Sequence, residues 1–172
     1  MSRMQASVFV TILAMIVAVG NLITGAVMKH FVGHRKRLLF FSSGCCLAGS
    51  LLGFAAFQWA LPPAYVVCAF LMLAIPAGFF TIFSVITREF NPPENFGMAV
   101  SLLNFLAFVF IAIEGNLTGM LMNRHEQFAT VVDGLKIYPP AAYRDVFLLF
   151  IAFAAVGVAC CAGIREVRSA ER

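Results

Sequence analysis

The sequence predicts an all-α integral membrane protein with five transmembrane helices, and three observations carry that expectation. Of 172 residues, 62% are apolar and only 12% are charged, whereas a soluble domain is roughly half apolar and about a quarter charged. Long apolar stretches recur five times along the chain, and Glu114 is the one formal charge inside them. None of the stretches alternates apolar and polar residues as the strands of a membrane barrel do, so they read as helices. The net charge of +4, spread along the chain, excludes the basic patch of a nucleic-acid binder. High hydrophobicity with low charge excludes intrinsic disorder.

A bilayer core about 30 Å thick takes roughly 20 apolar residues in a helix. The stretches 6–27, 38–59, 63–85, 98–122 and 146–164 meet that length and form a single transmembrane domain over 1–172. The first is too long for the apolar region of a signal peptide and has no convincing cleavage site, so it reads as a retained helix. Small residues surround Asn21 there: Gly20, Thr24 and Gly25. Small residues let helices approach closely, and Asn can bridge them. The second contains Gly49 and Gly53, a GxxxG spacing with the same consequence. Pro76, with Gly78 two residues on, predicts a kink in the third, because proline removes a backbone hydrogen bond.

The fourth stretch holds the polar residues of most interest. Asn104, Gly115 and Thr118 share a stripe of the helix with Glu114 at its edge. A charge at bilayer depth is costly and by default marks a functional site. Glu114 thus reads either as a proton-coupling or substrate-fixing carboxylate or as a structural hydrogen-bonding partner. With it, Asn104, Thr118 and Asn21 are the candidates for a substrate or ion path. The segment 123–144, the one long loop, reads as a solvated outer loop or as a lid, and the fifth stretch is featureless apart from Cys160 and Cys161.

Lysine and arginine in short loops favour the cytoplasm. One side collects Lys29, Arg35, Lys36, Arg37, Arg88, Arg165, Arg168 and Arg172; the other collects Arg3, Arg124, Lys136 and Arg144. The expected topology therefore puts the N-terminus outside and the C-terminus in the cytoplasm. An N-out first helix suggests a segment upstream. The cysteines Cys45, Cys46, Cys68, Cys160 and Cys161 all fall in spans without CxxC spacing, so they read as small hydrophobes. No metal or other cofactor is expected. No nucleophile has a base in reach, since His30, His34 and His125 lie in loops, and an enzyme is not expected either.

The densest basic cluster, Gly25 through Lys29, His30, Gly33, His34, Arg35, Lys36 and Arg37, resembles the short cytoplasmic gating loop of major facilitator superfamily transporters. Lys29 or His30 stands where that family usually carries Asp, and the two glycines are spaced one residue wider. The segment Arg88-Glu89-Phe90-Asn91-Pro92-Pro93-Glu94-Asn95-Phe96-Gly97, followed by Ala99, Asn104 and Phe105, resembles the loop and start of the eleventh helix. The resemblance implies helices eight to twelve, an incomplete six-helix half of such a bundle, in a bacterial inner membrane. It implies a secondary active transporter that moves a small solute by alternating access once an N-terminal half completes it, with helices eight and eleven lining the cavity and nine and twelve against lipid. The concentration of polar residues in the first and fourth spans agrees with that arrangement. The alternative is a small non-transporting membrane protein that packs against a partner chain as subunit or assembly factor. In both readings the bilayer is the surrounding medium.

Overall fold

The computed structural model describes residues 3–27, 35–132 and 134–164. Its helices are α1 (Arg3–Val27), α2 (Arg35–Gln58), α3 (Pro63–Gly78), α4 (Thr81–Phe90), α5 (Phe96–Arg124) and α6 (Pro140–Gly163). Among the described residues five segments are long and apolar enough to cross a membrane: Ser7–Ala26, Lys36–Gln58, Pro63–Phe90, Pro93–Arg124 and Pro140–Gly163. The chain is therefore an all-α membrane-type fold with one addition. A two-stranded antiparallel hairpin, β1 (Thr130–Val132) and β2 (Leu135–Ile137), pairs Thr130 with Ile137 inside the long loop. Gly134 turns it with φ 74°, a value that glycine adopts without a Cβ clash.

Three boundaries differ from the sequence expectation. The third span, expected as one helix over 63–85, is two helices, and the second of them continues to Phe90. The last helix starts at Pro140 instead of 146. Proline suits the first turn, where its missing N–H is unpaired anyway, and Arg144 and Asp145 fit on the end of the helix by pairing sideways. Between α2 and α3 the chain reverses through Ala60, which takes φ 49°. There the Leu61 N–H donates to the Ala56 carbonyl at 2.9 Å, a helix-ending bond that usually goes with glycine one residue earlier.

Helix α2 is the hub, with α3 on one side and α6 antiparallel on the other. At one end Lys36 Nζ donates to the Ala162 carbonyl at 3.0 Å, placing a cation on the unpaired carbonyls of the α6 C-terminus. At the other end Phe57 stacks on Tyr143 at 5.1 Å and Arg144 reaches Gln58 Oε1 at 3.4 Å. Gly49 and Gly53 make the contact close. A Cβ on Gly49 would lie 2.9 Å from the Ala69 carbonyl oxygen, and one on Gly53 would lie 2.1 Å from the Phe147 ring. Helix α1 leans on α3 and α4, whereas α5 touches mainly α6 and α4 and has no residue buried by the rest of the chain.

Candidate functional site

The interruption of the third span is built from Pro76 outward. Proline gives no N–H to the preceding turn, and the chain tightens into shorter-range bonds: the N–H of Phe79 donates to the Pro76 carbonyl at 3.0 Å and that of Phe80 to Ala77 at 3.4 Å. The carbonyls at the end of α3 are then taken up by α1. Asn21 Nδ2 donates to the Ala77 carbonyl at 3.2 Å, and the Thr24 hydroxyl donates to the Gly78 carbonyl at 3.0 Å. Asn21 Oδ1 accepts from the Thr81 hydroxyl at 2.8 Å, so one amide holds both sides of the break. The approach depends on glycines from both helices, since a Cβ on Gly20 would lie 3.0 Å from the Gly78 Cα. Asn21 thus acts in this structure as the bridge between helices; Thr24 and Thr81 complete it. Thr81 carries no sequence signal of that role, because its neighbour on α1 is set by the fold.

Beside the break lies a cavity of about 590 Å³, bordered by α2, α3, α4, α5 and α6. Pro76 and Phe83 form one wall, Phe150 and Phe153 another, and Ser42, Ser43 and Cys46 a third. Phe110 and Glu114 close it from α5. Most of the wall is apolar, and Glu114 is its one formal charge. Ser43 shares a hydrogen bond with the Cys161 thiol at 3.2 Å. Ser42 is only 9% exposed and has no hydrogen-bond partner among the described residues. The Glu114 carboxylate likewise has neither a hydrogen bond nor an ion pair among the described residues.

The structure separates the remaining sequence candidates. Asn104 is exposed on α5 and Thr118 is half-buried, and neither lines the cavity. A Cβ on Gly115 would meet nothing within 4 Å. Phe110 and Glu114, one helical turn apart, are the α5 residues turned towards the cavity. No lining residue comes from α1, while α2 and α6, expected against lipid, supply most of the wall. In the basic cluster, Gly25 has open space around it and Arg37 is exposed. Lys36 caps α6 and lies 5.9 Å from the Phe40 ring centroid. Arg35 opens α2, and Lys29 and Gly33 lie outside the described residues.

At the end of α5 remote from Phe96, His125 Nε2 lies 2.9 Å from Asp145 Oδ2 of α6. The hairpin is joined to the turn before it by an ion pair between Lys136 and Glu126. The lysine holds the Glu126 carboxyl below the usual carboxylate range, and the glutamate raises the Lys136 ammonium.

Compared with family models, with curated proteins and with solved structures, the chain matches none.

Proposed function

We propose that this chain is part of a secondary active transporter, corresponding to helices eight to twelve of a major facilitator-type carrier and moving a small solute by alternating access. The observation that carries the reading is the Glu114 carboxylate, unpaired within the described chain and facing a cavity of about 590 Å³ beside a broken helix. Discontinuous helices next to polar groups at membrane depth are a recurring way to build solute and ion sites. An ionisable group in a span is expensive to keep, which favours a working role over a packing one. In this reading Glu114 carries the coupling proton or fixes a charged part of the solute. The Asn21–Thr24–Thr81 clamp keeps the bend in one place. The basic ends of α2 and the chain's C-terminus face the cytoplasm of a bacterial inner membrane, and no enzymatic step is involved.

One observation favours the second reading, a subunit or assembly factor. Helix α5 has no residue buried by the described chain, and its Phe105, Phe108 and Ile111 are each about 60–70% exposed, open to a further helix or to lipid.

The test uses protein isolated through a C-terminal tag from its own membranes, with whatever accompanies it, and reconstituted in vesicles holding a pH dye. A sugar, an amino acid, an organic anion and an organic cation are offered in turn under a proton gradient. The transporter reading expects one class to move with protons and Glu114→Gln to abolish that coupling. Uptake with the same pH dependence in both forms sinks proton coupling at Glu114. No uptake of any class, together with a stoichiometric partner protein, sinks the transporter reading in favour of the subunit.

A further inference from the structure

We infer that the Glu114 cavity is a binding site for a lipophilic organic cation: a compact body carrying aromatic or aliphatic bulk and one positive charge. The inference deepens the transporter reading by naming its solute class.

Three features of the wall select that chemistry. The first is charge. Among the described residues Glu114 is the one ionisable carboxylate at the cavity, no lysine, arginine or histidine borders it, and nothing neutralises it. An ionised carboxylate without a partner attracts a cation and repels an anion. The second is the aromatic wall: Phe83, Phe110, Phe150 and Phe153 come from three different helices. Phenylalanine rings bind apolar bulk and also attract a cation through the ring quadrupole. The third is the scarcity of hydrogen-bonding groups. Ser42 is the one buried hydroxyl there without a partner. A sugar or a zwitterion would lose most of its hydration without replacement. A volume of about 590 Å³ falls within the range of sites for drug-sized molecules, roughly 300–1,000 Å³. It is far too small for a partner helix.

The probes are tetraphenylphosphonium and tetraphenylborate, which match in shape and differ in the sign of the charge. Equilibrium binding of each to the purified chain in detergent is compared for wild type, Glu114→Gln, Glu114→Asp and Phe150→Leu. Wild type is expected to bind the phosphonium saturably and the borate only at the level of empty micelles. Glu114→Gln keeps the shape and removes the charge, so affinity for the phosphonium should fall about thirtyfold or more. Glu114→Asp should retain most of the affinity. Phe150→Leu keeps the bulk and removes a ring, for a loss of about fivefold. Equal binding of the two ions, or a Glu114→Gln affinity within twofold of wild type, overturns the inference.

Two further outcomes separate this inference from the transporter reading. Saturable, Glu114-dependent phosphonium binding without uptake in vesicles upholds the site and sinks the transporter. Glu114-dependent uptake of another solute class without phosphonium binding does the reverse. A basic partner chain that co-purifies with wild type and is lost in Glu114→Gln, again without phosphonium binding, assigns the carboxylate to an interface and overturns the inference.

Discussion

Among the described residues, the glycines that stand at close helix contacts all lie on α1, α2 and α3, and none lies on α5. Gly20, Gly49, Gly53 and Gly78 each stand where an added methyl would meet backbone or side chain at 3.2 Å or less, whereas Gly115 and Gly119 of α5 have nothing within 4 Å. Without water to drive apolar surfaces together, close contact through small residues and interhelical hydrogen bonds is what assembles helices in a membrane. The assembly of α1, α2, α3 and α6 has both kinds of contact. Helix α5 has neither along most of its length, yet it carries Glu114, the carboxylate at the cavity. The tightest packing and the one carboxylate at the cavity are therefore on different helices, although α2 and α6 supply most of the cavity wall.

The largest effect expected from breaking that contrast comes from Gly53. Its Cβ would lie 2.1 Å from the ring of Phe147, itself 3% exposed. Gly53→Ala should destabilise the chain by about 1–3 kcal/mol or more, as overpacking does. Phe147→Leu in the same chain should recover part of the loss. Gly119→Ala on α5 should change stability by less than about 0.5 kcal/mol. Thermal unfolding in detergent reads all three. Equal effects at Gly53 and Gly119 would erase the distinction between the regions.

A smaller loss is expected at the clamp. Asn21→Leu removes the bonds to Ala77 and Thr81, and each interhelical bond of this kind contributes about 0.6–2 kcal/mol. Hydrogen exchange at Phe79 through Phe83 should accelerate while exchange in α6 stays put. Unchanged exchange at those amides would mean that Pro76 and the glycines fix the break without help from α1.

How much of this was legible follows from what each feature depends on. Span number and approximate position are properties of the apolar runs themselves, so they could be read directly. The close approaches at Gly49 and Gly53 and the bridging by Asn21 were legible because small and amide residues have few other uses in a span. The break after Pro76 was legible as a kink, but its length was not. Whether the chain resumes the same helix depends on Asn21 and Thr24 taking the free carbonyls. The hairpin had a local signal, Asp133-Gly134 between Thr-Val-Val and the alternating Leu-Lys-Ile, which length alone obscured in a loop. Glu114 stood out as a charge, but its phenylalanine neighbours did not. Phe150 and Phe153 come to it only through the placement of α6 between α2 and α5.

The smallest expected effect concerns how α5 is held. Along its length it has little support, so the hairpin that follows could act as a strap or merely as a covered turn. The Glu126–Lys136 pair decides between them. Both side chains are about half exposed, and solvent screening leaves such pairs with little stabilising effect. Because the Glu126 pKa is lowered, chiefly by the hydrogen bond from Lys136, its contribution is present above the ordinary glutamate value and is lost as pH falls through the lowered one. Because the Lys136 pKa is raised, its contribution is present below the ordinary lysine value and is lost as pH rises through the raised one. The pair therefore operates across neutral pH and fades at both extremes. In Lys136→Ala the Glu126 carboxyl, followed by carbon NMR, should titrate higher, back in the ordinary range. The melting temperature and the exchange rates of α5 should stay as in wild type. A faster exchange of α5 in that variant would make the hairpin a strap, and the loose region would then be held from its end by a surface pair, not by contact with the block.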